Sequence, residues 1–459
     1  MRRPLLAVGI AGLLQEALWL GLYRISPLRT HTEPFLAIHV GLFAACAASF
    51  VLIGIPDRRT ARLVLAFALL FRLTVLPAPP DQSEDVYRYI WDARVSAAGS
   101  SPFAHPPSAP QLSHLRDATV YPMLNSKPHV TAYPPLSQLL FRGVFAAFGP
   151  NVVAMKGVFG LLEFAFLLLA WKMLQDRGKG LRPLYLVAWN PFFIFEFWHS
   201  GHSDSAALFL ALLTFYLLSR NRSQGAMLSW VGAVTSKLHP ALWYPLLLRR
   251  VRWPAHLAAA GAAAALVLCY FTPELALRYL DSLRAYYRLF EFNASIHYLL
   301  RFVGRAGFDA DWDQATGPYL LAVLLCVSGA IWWKSRLRHD RDLLHAVFWL
   351  MTADLCLSTT VHPWYLSWAA FALPFFPYAF MFYWTGASAL SYMAYAYRPV
   401  YEPGWVLLVE YIPVYALMTW EISRGRPLLW DFPPQPSLHP PGHPGSPRTP
   451  APTVFCPGR

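Results

Sequence analysis

Residues 152–172 decide the fold class, and they read VVAMKGVFGLLEFAFLLLAWK. About 20 mostly apolar residues are enough for one α-helix to cross the hydrocarbon core of a bilayer. The chain repeats this pattern, since 56% of its 459 residues are apolar and only 14% are charged, whereas a soluble domain has about 25% charged residues. The composition therefore predicts a polytopic membrane protein. It excludes a disordered chain, a coiled coil and an ordinary cytosolic enzyme.

Further apolar runs predict an all-α bundle of about 11–14 transmembrane helices. The N-terminal run resembles a signal peptide, but no clear small-residue cleavage site follows it, so we expect an uncleaved span. Two shorter runs, 226–236 and 238–248, flank Lys237 and predict a broken hairpin. The run 135–149 is short and flanked by proline, and we expect that it does not cross. The candidate spans are 4–22, 35–55, 61–77, 152–172, 183–199, 204–219, 254–272, 318–333, 342–360, 364–377, 378–397 and 404–422.

Short basic loops orient the chain, because loops rich in arginine and lysine prefer the cytoplasm. Counting spans places all of these loops on one side of the membrane. Five segments then fall on the external face. Two of them are too long for structureless connectors, so we expect interfacial helices in 78–134 and 273–317. The five external segments are 78–134, 199–204, the turn at Lys237, 273–317 and 362–365.

The chain divides into a transmembrane domain, 1–430, and a tail, 431–459, that contains ten prolines. Such a tail cannot form a core and predicts a disordered cytoplasmic segment. The expected location is the inner or plasma membrane, with a multi-pass chain and its active site on the extracytoplasmic face. No internal repeat is evident, which disfavours a transporter.

The first external segment carries the densest polar motif, in which acids and arginines alternate over residues 81–95. On a helix, Glu84, Arg88 and Asp92 share one face. A carboxylate here can act as a general base when its pKa is tuned. The alternative is a solvated interfacial helix with an ion pair such as Glu84 to Arg88.

Two further motifs place charged residues beside apolar spans. His199, His202 and Asp204 lie in a turn between spans, where polar residues usually mark a site. They suit metal binding, or Asp204 simply caps the next helix. Lys237 interrupts an apolar hairpin, which indicates a salt-bridge partner or an anionic ligand.

Several functional classes lack their signatures. No P-loop, GxGxxG or HExxH motif is present, and the five cysteines have no zinc or disulfide spacing. The basic residues do not follow a nucleic-acid-binding fold, and loop orientation explains much of the net charge of +13. A transporter or flippase of a lipid-linked sugar or anionic solute is the main alternative to an enzyme. A polymerase or ligase of lipid-linked glycans is the third hypothesis.

These motifs, in this order, resemble the GT-C superfamily of integral-membrane glycosyltransferases, especially bacterial polyprenyl-phosphate-mannose-dependent mannosyltransferase-like proteins. The resemblance covers roughly residues 60–400 and its motifs are specific only in combination. The motifs are SEDVYRYIWDARV (83–95), SPF (101–103), YPPLSQ (133–138), NP (190–191), GHSD (201–204), Lys237, FEFNASIHY (290–298) and HPWY (362–365).

The resemblance implies a GT-C-like bundle that inverts the anomeric carbon. It implies a polyprenyl-phosphate donor of a hexose, with mannose the expected sugar, and a lipid or glycan acceptor. The expected base is Asp85, with Glu84 and Asp92 as further catalytic candidates. Candidates for binding the donor phosphate or substrate are Arg88, Arg94, Lys237, His202, Asp204, Arg288, Asn293, Arg301, His362 and Tyr365.

The chain departs from the spaced Asp-x-Asp pattern of many GT-C enzymes, because Glu84 and Asp85 are adjacent. The choice among Glu84, Asp85 and Asp92 as the base therefore stays open. No cofactor is required by these residues, and a divalent ion such as Mg²⁺ or Mn²⁺ also fits the paired acids. The expected partners are the lipid-linked donor, the acceptor and membrane lipids, with no nucleic acid.

Overall fold

The computed structural model describes residues 2–55, 57–178, 180–307, 312–397 and 399–431. Helices dominate these ranges, and β-structure within them is limited to a bridge between Phe292 and Thr360. The prediction of an all-α protein is therefore confirmed. The predicted tail lies outside the described residues, apart from Asp431 at its start.

The helices follow one another with short connections, except in the two long segments. The α-helices are α1 (Arg2–Arg24), α2 (Thr32–Leu52), α3 (Arg58–Val75), α4 (Asp85–Ala97), α5 (Pro135–Phe148), α6 (Val152–Asp176), α7 (Tyr185–Ala188), α8 (Pro191–Ile194), α9 (Asp204–Ser219), α10 (Ser223–Ser236), α11 (Tyr244–Leu248), α12 (Trp253–Tyr270), α13 (Pro273–Leu289), α14 (Ser295–Gly307), α15 (Trp312–Lys334), α16 (Asp340–Leu357), α17 (Ser367–Ala370), α18 (Ala379–Ala387) and α19 (Gly404–Arg424). A π-helical turn covers Phe195–His199. The 3₁₀ turns are Leu28–Thr30, Pro110–Leu115, Tyr121–Met123, Arg182–Leu184, His239–Trp243, Pro363–Leu366, Ser388–Ala396 and Leu428–Asp431.

Six helices in the described part of the chain are long and apolar enough to cross a bilayer, namely α1, α2, α6, α12, α15 and α19. The segment predicted as the span 183–199 is instead broken into α7, α8 and the π-helical turn. The break occurs at Pro191, which has no N–H to donate and disfavours helix at the residue before it. The side chain of Asn190 accepts from the N–H of Phe192 at 3.0 Å and starts the next turn.

The segments predicted as spans 364–377 and 378–397 are also discontinuous. They form α17, α18 and the 3₁₀ turn Ser388–Ala396, because prolines at 363, 374 and 377 interrupt the backbone hydrogen bonds. Their side chains are nevertheless almost all buried. These short elements therefore pack inside the bundle rather than forming regular spans.

A buried ion pair joins α3 to α6 in the interior of the bundle. Arg72 donates to both carboxylate oxygens of Glu163, each at 2.7 Å. Trp198 donates to the same carboxylate at 2.9 Å, and Arg72 also donates to the carbonyl of Ala188 at 2.8 Å. Removal of one partner from such a pair costs about 3–5 kcal/mol. The pair therefore fixes the bundle beneath the π-helical turn.

The two long segments contain helices, as the sequence predicts, and they pack on each other. The first segment contains α4. At its start, directly after α3, Lys156 donates to the carbonyls of Leu76 and Ala78, at 2.8 and 2.5 Å. The second contains α13 and α14. The hydroxyl of Ser282 on α13 donates to the carbonyl of Val130 at 3.0 Å. Both segments therefore lie at the same end of the bundle.

Candidate active site

The five segments predicted to be external bring polar and aromatic side chains to one place. Asp85 is the first residue of α4, His202 lies in the turn before α9, and Lys237 follows α10. A chain of contacts between these segments, described below, joins their side chains. The other two segments contribute Phe292 and His362.

The two carboxylate oxygens of Asp85 contact different partners. Its Oδ1 accepts from Nδ2 of Asn125 at 3.0 Å, and its Oδ2 lies 3.5 Å from Nδ1 of His202. Burial opposes ionisation of this carboxyl group, but contact with His202, the charge of Lys237 and the Asn125 amide together lower the pKa of Asp85 well below its usual range. Asp85 is therefore a carboxylate at neutral pH, and 17% of its side chain remains exposed.

His202 lies between two carboxylates. Its side chain is fully buried, and its Nε2 is 3.5 Å from Oε2 of Glu196. Glu196 in turn accepts from the hydroxyl of Tyr392, at 2.9 and 3.0 Å to its two oxygens. Both contacts of the imidazole are longer than a normal hydrogen bond. The row Glu196–His202–Asp85 nevertheless places one carboxyl group beside each ring nitrogen.

A row of stacked rings fixes the position of His202. Its ring stacks on Trp364 with centroids 3.9 Å apart, and Trp364 stacks on His362 at 4.4 Å. His362 stacks on Phe292 at 4.8 Å, and Phe292 on Tyr395 at 5.7 Å. The row therefore connects the turn before α9 to the segment before α14 and to the 3₁₀ turn after α18.

Lys237 supplies a cation beside these residues. Its Nζ donates to Oδ2 of Asp204 at 3.0 Å and lies 5.6 and 5.8 Å from the ring centroids of Tyr133 and Tyr365. Asp204 is buried, and Trp368 donates to its other oxygen at 3.2 Å. An ammonium group has three donors, and 16% of the Lys237 side chain is exposed. Asp204 therefore anchors Lys237 and leaves it able to bind an anion.

Buried polar atoms without a hydrogen-bond partner in the described part of the chain concentrate in the same segments. Buried polar groups are normally hydrogen-bonded, so a group of such atoms indicates a pocket for polar ligand atoms. Around Lys237 and His202 these atoms are Oγ of Ser203, Ser236 and Ser367 and Nδ1 of His239 and His362.

Some predicted site residues form ion pairs that stabilise the first long segment, 78–134. Glu84 pairs with Arg29 rather than with Arg88. Arg88 pairs with Asp92 at 2.8 Å, and the other oxygen of Asp92 accepts from Gln138 at 3.0 Å. Arg88 and Asp92 are both buried. The alternative interpretation, a solvated interfacial helix with a Glu84–Arg88 pair, is therefore wrong in that pair, because Glu84 precedes the helix as its cap.

Two of the remaining predicted arginines, Arg94 and Arg301, also have local partners. Arg94 pairs with Asp117 at 2.6 Å, and this hydrogen bond lowers the pKa of Asp117 below its usual range. Arg301 pairs with Glu291. Arg288 belongs to α13, but its side chain lies outside the described residues. The geometry thus brings Asp85, His202, Asp204, Lys237, His362 and Tyr365 together and uses Arg88 and Arg94 within the first segment.

Asn293 holds the second long segment to α19. Its Nδ2 donates to both oxygens of Glu410, each at 3.1 Å, and its φ of 49° is in the left-handed region that asparagine tolerates. Asn293 therefore positions its neighbour Phe292 in the row of stacked rings.

The sequence interpretation missed two residues that contact the carboxylates of the site, Asn125 and Tyr392. Neither belongs to a motif with a characteristic spacing. Within the described ranges, no three His, Cys, Asp or Glu side chains are grouped so as to hold a metal ion. Glu84 and Asp85, although adjacent, face Arg29 and His202 respectively.

Gly201 creates the turn that presents His202. Its φ is +75°, and a Cβ on this residue would lie 2.6 Å from Cγ of Lys156. Glycine adopts positive φ without steric cost. The turn therefore depends on glycine for both its backbone conformation and its close contact with α6.

Gly201→Ala should destabilise the protein by about 2 kcal/mol or more, because backbone strain adds to overlap with Lys156. Thermal unfolding in detergent measures this loss. The matched control is Gly99→Ala, which has a similar φ of +81° but open space around the added methyl group. Equal effects of the two variants would contradict a role for packing against Lys156.

A family model described as alpha-(1->6)-mannopyranosyltransferase, N-terminal domain, matches residues 5–251, which is more than half of the chain. The matched range contains Asp85, His202 and Lys237 and ends before His362. No curated protein and no solved structure matches the chain.

Proposed function

The chain belongs to the MptA_B family of alpha-(1->6)-mannopyranosyltransferases, and we propose that it transfers mannose from a polyprenyl phosphate to a lipid or glycan acceptor. The transfer takes place at the external face of the membrane, on a GT-C-type scaffold. Family membership indicates mannosyl transfer. The donor, the acceptor class, the catalytic residues and the face of the membrane are proposed here.

The observation that carries the proposal is that a chain of side-chain contacts links the Asp85 carboxylate, beside His202, to the Lys237 ammonium group, beside Tyr365. Tyr365 contacts Trp364 with ring centroids 5.7 Å apart, and Trp364 stacks on His202. Transfer from a sugar phosphate needs a base for the acceptor hydroxyl. It also needs positive charge for the departing phosphate. The two residues meet these needs.

The reaction proceeds by direct displacement. The acceptor oxygen attacks the anomeric carbon and forms the new glycosidic bond, while the bond from that carbon to the phosphate oxygen breaks. The acceptor proton passes to Asp85, and Lys237 binds the charge of the polyprenyl phosphate that leaves. One displacement inverts the anomeric configuration.

The acidity of the acceptor hydroxyl determines when the proton moves. A weakly basic carboxylate removes little proton from a free alcohol, but the hydroxyl becomes strongly acidic as its oxygen bonds to the sugar. Asp85 therefore accepts the proton late in the reaction. His202, held by Glu196 and Trp364, orients the carboxylate.

The scaffold suits a donor that is itself a lipid. The six long apolar helices match the hydrocarbon core, and the pocket lies at the end of the bundle where the two long segments pack. A donor with its chain in the bilayer thus presents its phosphate and sugar at the level of the pocket.

The purified protein, reconstituted in vesicles with labelled mannosyl-phosphoryl-polyprenol and a mannoside acceptor, should form a labelled glycoside. We expect one polyprenyl phosphate released for each glycosidic bond formed, and a product of the opposite anomeric configuration to the donor. Mass spectrometry of the extracted lipids and glycans measures both products.

The same vesicles distinguish the transporter hypothesis. Movement of the labelled donor across the bilayer with no new glycosidic bond would overturn the proposed transfer. The transporter hypothesis has less support, since Glu163, an acidic residue inside the predicted span 152–172, has both oxygens bound by Arg72.

A further inference from the structure

A long groove lies between α15, α16 and α19, and its lining does not include Asp85, His202 or Lys237. Its volume is about 980 Å³, at the upper end of the range for ligand pockets. It follows α16 from Asp342, near its first residue, to Leu357, its last. With 18 residues, α16 is about 27 Å long, so the groove extends for nearly the thickness of the hydrocarbon core.

The walls of the groove are mainly apolar. Apolar side chains from three helices line most of its length, and α15 also exposes apolar residues on its outer side, such as Leu325 at 61%. The groove therefore faces the region that lipid chains occupy. Representative lining residues are Ile331, Trp349, Ala353, Met418 and Ile422.

One end of the groove is cationic. Lys334, Arg336 and Arg338 line it together with Ser335, and the three basic side chains belong to exposed residues. None of the three has an ion pair with a residue in the described ranges. The carboxylate at this end, Asp342, accepts from the N–H of His339 at 3.0 Å. The end therefore carries a net positive charge.

We propose that this groove is a binding site for an anionic phospholipid, with its phosphate on Lys334, Arg336 and Arg338 and its acyl chains along α16. Basic pockets between transmembrane helices are suited to anionic headgroups, and guanidinium groups bind phosphate oxygens in a bidentate manner. The charge at one end and the apolar walls beyond it match the two parts of such a lipid. The site is separate from Asp85 and Lys237, so it does not depend on the proposed transfer.

Native mass spectrometry of the purified full chain, titrated with phosphatidylglycerol or phosphatidylcholine in detergent, tests the proposal. We expect tighter binding of phosphatidylglycerol by about tenfold or more. Replacing Lys334, Arg336 and Arg338 by glutamine should reduce this preference to about twofold or less. The matched control replaces Arg58, Arg59 and Arg62, which are also exposed basic residues near one helix end, and should keep the preference.

A second pair of variants tests the walls. Ala353→Trp fills the groove and should weaken binding of both lipids, whereas Ala322→Trp, on an exposed part of α15 outside the groove, should not. Equal binding of the two lipids by the wild-type protein would overturn the proposal. An equal loss of the phosphatidylglycerol preference in the triple glutamine variant and in its control would also overturn it. So would a dimer mass without bound lipid, because a second copy of the chain would then occupy the groove.

Discussion

Asp85→Asn should lower the rate of mannosyl transfer by about a thousandfold, since removal of a general base costs between 10² and 10⁴. The amide has the same shape and can still accept from Asn125, so the fold should survive. It cannot take the proton of the acceptor hydroxyl. The loss should appear in kcat, with little change in KM for the donor, because Asp85 acts on the acceptor.

The matched control for this variant is Glu84→Gln. Glu84 is the adjacent carboxylate, but it pairs with Arg29 and does not face His202. We expect its transfer rate to stay within about tenfold of the wild type, since a partly exposed ion pair contributes little. A folded Asp85→Asn protein with wild-type activity would remove Asp85 from the role of base, and a larger loss in Glu84→Gln would assign that role to Glu84.

Lys237→Gln should lower kcat/KM for the lipid-linked donor by about a hundredfold, because fixed positive charge at a leaving phosphate typically contributes 10² to 10³. The single change leaves the carboxylate of Asp204 buried without its cation, which would also destabilise the fold. The double variant Lys237→Gln with Asp204→Asn keeps the pocket neutral. It should fold as well as the wild type, by thermal unfolding in detergent, and remain equally impaired.

Lys127→Gln controls for the loss of one positive charge on the protein. Lys127 lies in the first long segment, 78–134, and donates to the carbonyl of Pro122. It should transfer mannose at the wild-type rate. If the double variant recovers wild-type kcat/KM, then Lys237 serves only to balance Asp204 and the phosphate is bound elsewhere.

Much of the fold followed from hydropathy and proline positions. Apolar runs predicted the six long helices, and the broken hairpin at Lys237 is present, with α10 ending at Ser236. The failures came where proline interrupts an apolar run, at Pro191 and near Pro363. The mean hydropathy of a segment indicates that it is buried or in lipid, but it does not indicate whether the helical backbone hydrogen bonds continue through it.

The candidate site was predictable in its segments but not in its pairings. Counting spans between the basic loops predicted Asp85, His202 and Lys237 on one face, and the structure brings them together. Their partners depend on tertiary contacts: Arg29 is 55 positions from Glu84, and Tyr392 is 196 positions from Glu196. No local period encodes such a distance, so the sequence favoured the near neighbour Arg88 for Glu84.

The row of stacked rings has a consequence for modularity. His202 belongs to the range that matches the N-terminal domain of the family, whereas Trp364, His362 and Phe292 come from beyond residue 251. The boundary of the sequence domain therefore separates His202 from the aromatic residues that pack against it. Exchanging the N-terminal part between relatives should therefore require matching aromatic residues at the positions of Trp364 and His362, because His202 packs against this row.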